Sequence, residues 1–201
     1  MKLSIKTMLM ILIIPASINA EEISYDYIDL NIWSHKLSGQ TGTASSTYDG
    51  YRVIISKAVS KNIHLVASFI DSDKKNGDAF VDKAFGFGIN YPIDKKTDFV
   101  FEYSHVNYDW KYVGRTDIGG ITNTIESKIN HQLSDDIELT AGLLSNNVAG
   151  SKILYQGFSA GAKYNINDNF ALKFRMHNLK DSKLTNTADL STTEMGLSYS
   201  F

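Results

Sequence analysis

The chain has 201 residues, 43% hydrophobic and 21% charged, with 20 Lys and Arg against 22 Asp and Glu. The absence of cysteine removes disulfides, thiolate metal sites and a cysteine nucleophile, and a net charge of −2 without a basic stripe argues against a nucleic-acid partner. Near-neutral mean hydropathy excludes a bundle of transmembrane helices, but it does not exclude a membrane barrel, whose strands alternate apolar and polar residues.

The chain begins with a segment that reads as an export signal. Lys2 and Lys6 form a basic start, Met8 to Ile14 an apolar run, and Ala16 to Ala20 a short end of mostly small and polar residues. The apolar run is about half the ~20 residues a spanning helix needs, so residues 1–20 are expected to be a cleaved signal peptide and 21–201 the mature domain. Losing Lys2 and Lys6 makes that domain mildly acidic.

From Tyr25 onward the apolar residues recur at period two, which predicts an all-β domain. The rows begin with Ile28, Leu30 and Ile32, then Tyr51, Val53 and Ile55, then Ile63, Leu65, Ala67 and Phe69. Phe85, Phe87, Ile89 and Tyr91 follow, then Phe99, Phe101 and Tyr103, then Ile121, Ile125, Ile129 and Leu133. Ile137, Leu139, Ala141 and Leu143 make a seventh row and Phe158, Ala160, Ala162 and Tyr164 an eighth. Phe170, Leu172, Phe174 and Met176, and finally Met195, Leu197, Tyr199 and Phe201, bring the expected count to ten strands. The sixth row is the least regular, because Asn123, Ser127 and His131 share its apolar parity.

Short polar turns at Ser60–Asn62, Asp94–Asp98, Ser134–Asp136 and Asn167–Asn169 alternate with longer connections at Leu37–Ser46, Asp71–Lys83, Asp109–Gly120, Ser145–Leu154 and Lys180–Leu190. Short turns on one side and long loops on the other are the habit of a transmembrane barrel. A soluble sandwich also alternates. Here, however, the polar parity is rich in glycine and in charges of both signs, and aromatics gather near both strand ends. Tyr91, Phe99, Tyr164, Phe170, Tyr199 and Phe201 mark the short-turn side. Tyr48, Tyr51, Phe69, Phe85, Tyr103, Tyr108, Trp110 and Phe158 are expected to form the girdle near the loops.

The segment Glu194-Met195-Gly196-Leu197-Ser198-Tyr199-Ser200-Phe201 resembles the C-terminal assembly signal of outer-membrane β-barrels, with Gly196, Tyr199 and Phe201 at its marked positions. With the signal peptide and the alternating rows, the whole mature chain is similar to the small OmpA-like and OmpX-like barrel families. Those usually have eight strands, so eight is the alternative to a closed antiparallel barrel of ten. The resemblance implies insertion by the barrel assembly machinery through the last strand. It also implies a home among lipid and lipopolysaccharide in the outer membrane of a Gram-negative bacterium. A monomer without cofactor is expected.

If the apolar parity faces lipid, the opposite parity faces the lumen. Its charged members are Asp29, Arg52, Glu102, Glu126, Lys128, Glu138, Lys163, Lys173, Arg175 and Glu194. Five are acidic and five basic, and charges in a narrow lumen are costly unless paired. An ion-pair network that fills the barrel is therefore expected, with a structural or cell-envelope role. A narrow ion channel and a surface protein binding through its loops are the alternatives. Gly50, Gly86, Gly88, Gly142, Gly157, Gly161 and Gly196 share the inward parity and would leave room for the long basic side chains.

Catalysis is not expected. His177, in Arg175-Met176-His177-Asn178, resembles the Arg-His-x-Ser region of lipid A deacylases, but Leu179 stands where the serine would be. The ten-stranded omptin proteases need paired acids and an Asp–His dyad, whereas Asp109 and Asp117 read as solvated loop acids. His35 and His105 read as interfacial polar residues. No spacing supports a metal site. In the third long loop Trp110 and Tyr112 are candidates for outside contacts.

Overall fold

A computed structural model describes residues 23–38, 45–150, 153–181 and 189–201. The expected signal segment 1–20 and parts of the first, fourth and fifth long connections lie outside these residues. The described residues form β1 (Tyr27–Ser38), β2 (Ser46–Ser60), β3 (Ile63–Asp73), β4 (Ala79–Asp94) and β5 (Thr97–Lys111). They continue as β6 (Ile118–Gln132), β7 (Ile137–Val148), β8 (Leu154–Asn165), β9 (Phe170–Asp181) and β10 (Asp189–Ser200). Every strand pairs antiparallel with its neighbours in sequence, and β1 pairs with β10 to close the barrel. Ten strands, rather than eight, enclose the lumen.

The register joins the apolar rows into a continuous outer surface. Leu197, Leu30, Val53 and Phe69 are successive partners around the wall, as are Leu65, Phe87, Tyr103 and Ile125. Ile32 is 69% exposed and Leu143 71%. A belt of this extent has water as the wrong solvent and lipid as the right one. A slip of one residue in any strand would turn its apolar row inward, which is why the alternation determines the register so strongly.

Parity is unbroken through β6. Its polar outer residues find partners on β5: the Tyr103 hydroxyl donates to Asn123 Oδ1 at 2.9 Å, His105 Nδ1 lies 3.1 Å from the same oxygen, and Thr97 Oγ1 is 3.0 Å from His131 Nδ1. These cross-strand bonds let Asn123 and His131 stay outward without a bulge.

The strands run further than the apolar rows suggest. β2, β5 and β6 have 15 residues each and β4 has 16, against the ~9–11 that cross a bilayer at a tilt. The expected loops at Asp71–Lys83 and Asp109–Gly120 accordingly shrink to the connections 74–78 and 112–117. Polar residues continue these ladders because, above the hydrocarbon, backbone pairing no longer requires an apolar row. The 74–78 turn closes with Gly77 at φ 88°, its N–H donating to the Lys74 carbonyl at 2.8 Å.

Candidate functional site

All ten charged residues expected on the inward face line the interior, and the structure brings six of them into a belt across the lumen. Arg52 of β2 reaches over β1 to Glu194 of β10, Nη1 to Oε1 2.7 Å, and its other Nη lies 3.4 Å from Ser68. Arg175 of β9 reaches Glu126 of β6, crossing the lumen. Lys128 binds Glu102 on the next strand and lies 3.7 Å from Glu126. Ser159 completes Glu126 by donating at 2.6 Å.

Towards the short turns Lys173 holds Asp29 at 2.7 Å and lies over the Tyr27 ring, 4.1 Å from its centre. Glu138 and Lys163 stand opposite each other in the β7–β8 ladder below the belt. Most of these pairs skip a strand. Alternation assigns a side chain to a face, but it does not say how far across that face a Lys or Arg will reach.

The strand-skipping geometry needs gaps, and Gly88 on β4 supplies one. His64 of β3 leans over it to bring Nε2 within 3.3 Å of Glu102 on β5, and a Cβ on Gly88 would lie 2.1 Å from the imidazole. Gly142 similarly leaves space beside Lys128, whose Cβ would be 2.8 Å away. At Gly50, Gly86, Gly157 and Gly196 the nearest obstacle is instead a carbonyl oxygen of the adjacent strand. Those four glycines serve close strand approach rather than room for basic side chains.

His64 is 1% exposed and stacks on Tyr25, ring centres 4.6 Å apart. Tyr25 precedes β1 and lies in the short-turn end of the lumen, donating its hydroxyl to Asp98 at 2.9 Å while its carbonyl accepts from Ser56 at 2.7 Å. Neither His64 nor Tyr25 stood out in the sequence. The usable signal was the glycine directly opposite His64 in the β3–β4 pairing.

On the loop side the interior becomes aromatic. Trp33, Tyr48, Ile70 and Phe80 are buried together, with Leu37, Tyr108 and Trp110 packed against them. Phe80 and Trp110 are 4.4 Å apart, Tyr48 and Trp110 4.9 Å. Tyr48, Tyr108 and Trp110 thus leave the expected outer girdle. Their even numbers match Arg52 and Glu102, and parity turns them inward. Trp110 lies within β5 rather than in a loop, while Tyr112 follows that strand and its N–H donates to Asp117 at 3.2 Å. His35, read as interfacial, is also inside, stacked on Trp33 at 5.1 Å with Nδ1 2.7 Å from Thr192 Oγ1.

Two cavities flank the belt. The one towards the short turns has about 90 Å³ and the one towards the loops about 390 Å³. Glu102, Lys128, Arg175 and Glu194 belong to the walls of both.

His177 faces the lumen 3.5 Å from Glu194. Ser159, its partner across the ladder, spends its hydroxyl on Glu126. In the C-terminal segment Gly196 lies against the Leu30 carbonyl, Tyr199 packs on Phe170 at 5.1 Å, and the Lys57 ammonium sits 5.0 Å from the centre of the Phe201 ring.

No protein-family model matches the chain, and no curated protein does. Among solved structures it is similar to the beta domain of the Bordetella autotransporter BrkA, with TM-score 0.57 and 6% identity over 89% of this chain and 100% of that one. The translocator domain of autotransporter NalP from Neisseria meningitidis gives TM-score 0.52 and 10% identity over 87% and 88%. Neisserial surface protein A gives 0.49 and 9% over 89% and 98%. The fold is that of the small outer-membrane β-barrels.

Proposed function

We propose that the protein is an integral outer-membrane barrel with a structural or cell-envelope role, and that its lumen is closed to solute. The observation that carries this reading is the belt. Arg52 with Glu194, Arg175 with Glu126 and Lys128 with Glu102 stand between the two cavities, and Tyr25 narrows the lumen below them. Ten strands give a bore little wider than one that side chains can fill, and each guanidinium is held by a buried carboxylate. The export signal, the exposed apolar belt and the C-terminal segment support the outer membrane as its location.

The test is electrical. Pure protein inserted in a planar bilayer is expected to give no reproducible unitary conductance. Exchanging Arg52 and Arg175 for serine removes two of the crossing side chains and is expected to produce discrete openings. Regular unitary steps from the unaltered protein would overturn the reading.

A further inference from the structure

The loop-side cavity differs in character from the belt beneath it. Its upper wall carries Trp33, Phe80, Val106, Trp110 and Leu179, an apolar and largely aromatic lining. Its charged lining consists of Arg52, Lys128 and Arg175 against Glu102, Glu126, Glu194 and Asp82. Each base is engaged by one of the three glutamates, and Asp82 is the acid left over.

Asp82 lies on β4, two residues and one inward position from Phe80. Its Oδ1 is buried and accepts no hydrogen bond, and the buried Oδ1 of Asn146 is in the same condition; lower in the same lining the Nε atoms of Arg52 and Arg175 and the ring nitrogens of His177 are also without a hydrogen-bond partner. Buried acceptors of this kind call for a donor. A volume near 390 Å³ is that of a small-molecule site.

We infer that this cavity binds a small organic monocation, an ammonium head donating to Asp82 with an aromatic or aliphatic body against Trp33, Phe80 and Trp110. The surplus acid selects the sign of charge, because an anion would add to four carboxylates whose three counter-ions are already engaged. The aromatic rings favour a cation with an apolar body over a bare metal ion. That the site is a dead end rather than a station along a pore rests on the closed-lumen reading above; the recognition chemistry does not.

Both tryptophans of the chain, Trp33 and Trp110, line this cavity, so intrinsic fluorescence reports its occupancy. The barrel is placed in nanodiscs of zwitterionic lipid and titrated with phenethylammonium, with neutral 2-phenylethanol and with phenylacetate. The expected result is a saturable change with the cation and weaker responses with the other two. Asp82→Asn is expected to weaken the cation about tenfold or more, whereas Asp109→Asn on the outer face of β5 leaves binding unchanged.

Equal binding of all three probes by the unaltered protein would overturn the inference without recourse to any variant. So would equal affinity of Asp82→Asn, or the lack of a saturable response. Conductance measured on the same preparation separates the two readings: unitary steps together with cation-selective binding overturn the closed lumen and support the site, and silence without binding does the reverse.

Discussion

Alanine at Gly88 is the sharpest probe of how the interior is held. The new methyl would sit 2.1 Å from the His64 ring and 3.0 Å from Glu102 Cγ. Its first obstacle is a side chain, so the strands need not part, but the imidazole cannot stay where it is. His64 is locked by its stack on Tyr25 and its 3.3 Å contact with Glu102. Displacing it loses a hydrogen bond to a charged group, about 1.5–3 kcal/mol, and overpacking adds roughly 1–3 kcal/mol. Because the two costs share one movement, we expect Gly88→Ala to destabilise by about 2–4 kcal/mol rather than by their sum.

With His64→Ala already in place the methyl enters the space the ring has left. A strand alanine then recovers roughly 0.5 kcal/mol of backbone entropy relative to glycine, so the second substitution is expected to be close to neutral. Equilibrium urea unfolding in lipid, applied to all four members of the cycle, measures the coupling. An equal cost of Gly88→Ala in both backgrounds would refute the argument that the glycine exists to let His64 cross β4.

Three further outcomes are expected. Arginine at Leu30 or Leu139 on the lipid face should cost about 2–4 kcal/mol near the bilayer centre, and less nearer the interface, whereas Asp136→Arg in a short turn should leave unfolding midpoints unchanged. Arg175→Leu leaves Glu126 without its guanidinium and should destabilise by about 2–4 kcal/mol, below the fully buried figure because the Arg175 side chain retains 24% exposure; adding Glu126→Gln should restore part of that stability in the same unfolding assay. In the loop before β4, the Val113 N–H and then the Asn76 amide hold the Asp78 carboxyl below its ordinary pKa. The tie between the two loops is therefore present above the unfolded-state pKa and lost as pH falls through the lower folded one, which NMR titration of the Asp78 carboxylate and of the Val113 amide should show.

The architecture was legible because lipid enforces it: outward positions in the hydrocarbon are predominantly apolar, so Leu30, Val53, Phe69 and Leu197 announce both the strand and the face. The inward charges were legible for the same reason, as the residues that parity leaves over. Their partners were not, since Arg52 pairs across β1 with Glu194 and Arg175 finds Glu126 rather than its ladder neighbour Glu194. Reach across a curved wall depends on where glycines open it, a property of three strands at once. Tyr48, Tyr108 and Trp110 went astray because aromatics near a strand end suggest a girdle, yet their parity already pointed inward. Above the membrane the alternation weakens, and with it the strand signature of the upper parts of β4 and β5.

The pairing of β1 with β10 joins Tyr27 to Ser200 and spans nearly the whole described chain. Until it forms, a sheet grown from the other pairings keeps two unsatisfied edges. Its closure carries the largest loop entropy of any strand pairing in the barrel. The unfinished sheet must wait beside other copies whose edges would accept it equally well, so survival before insertion is a kinetic matter of keeping the two terminal strands apart from strangers until they meet each other.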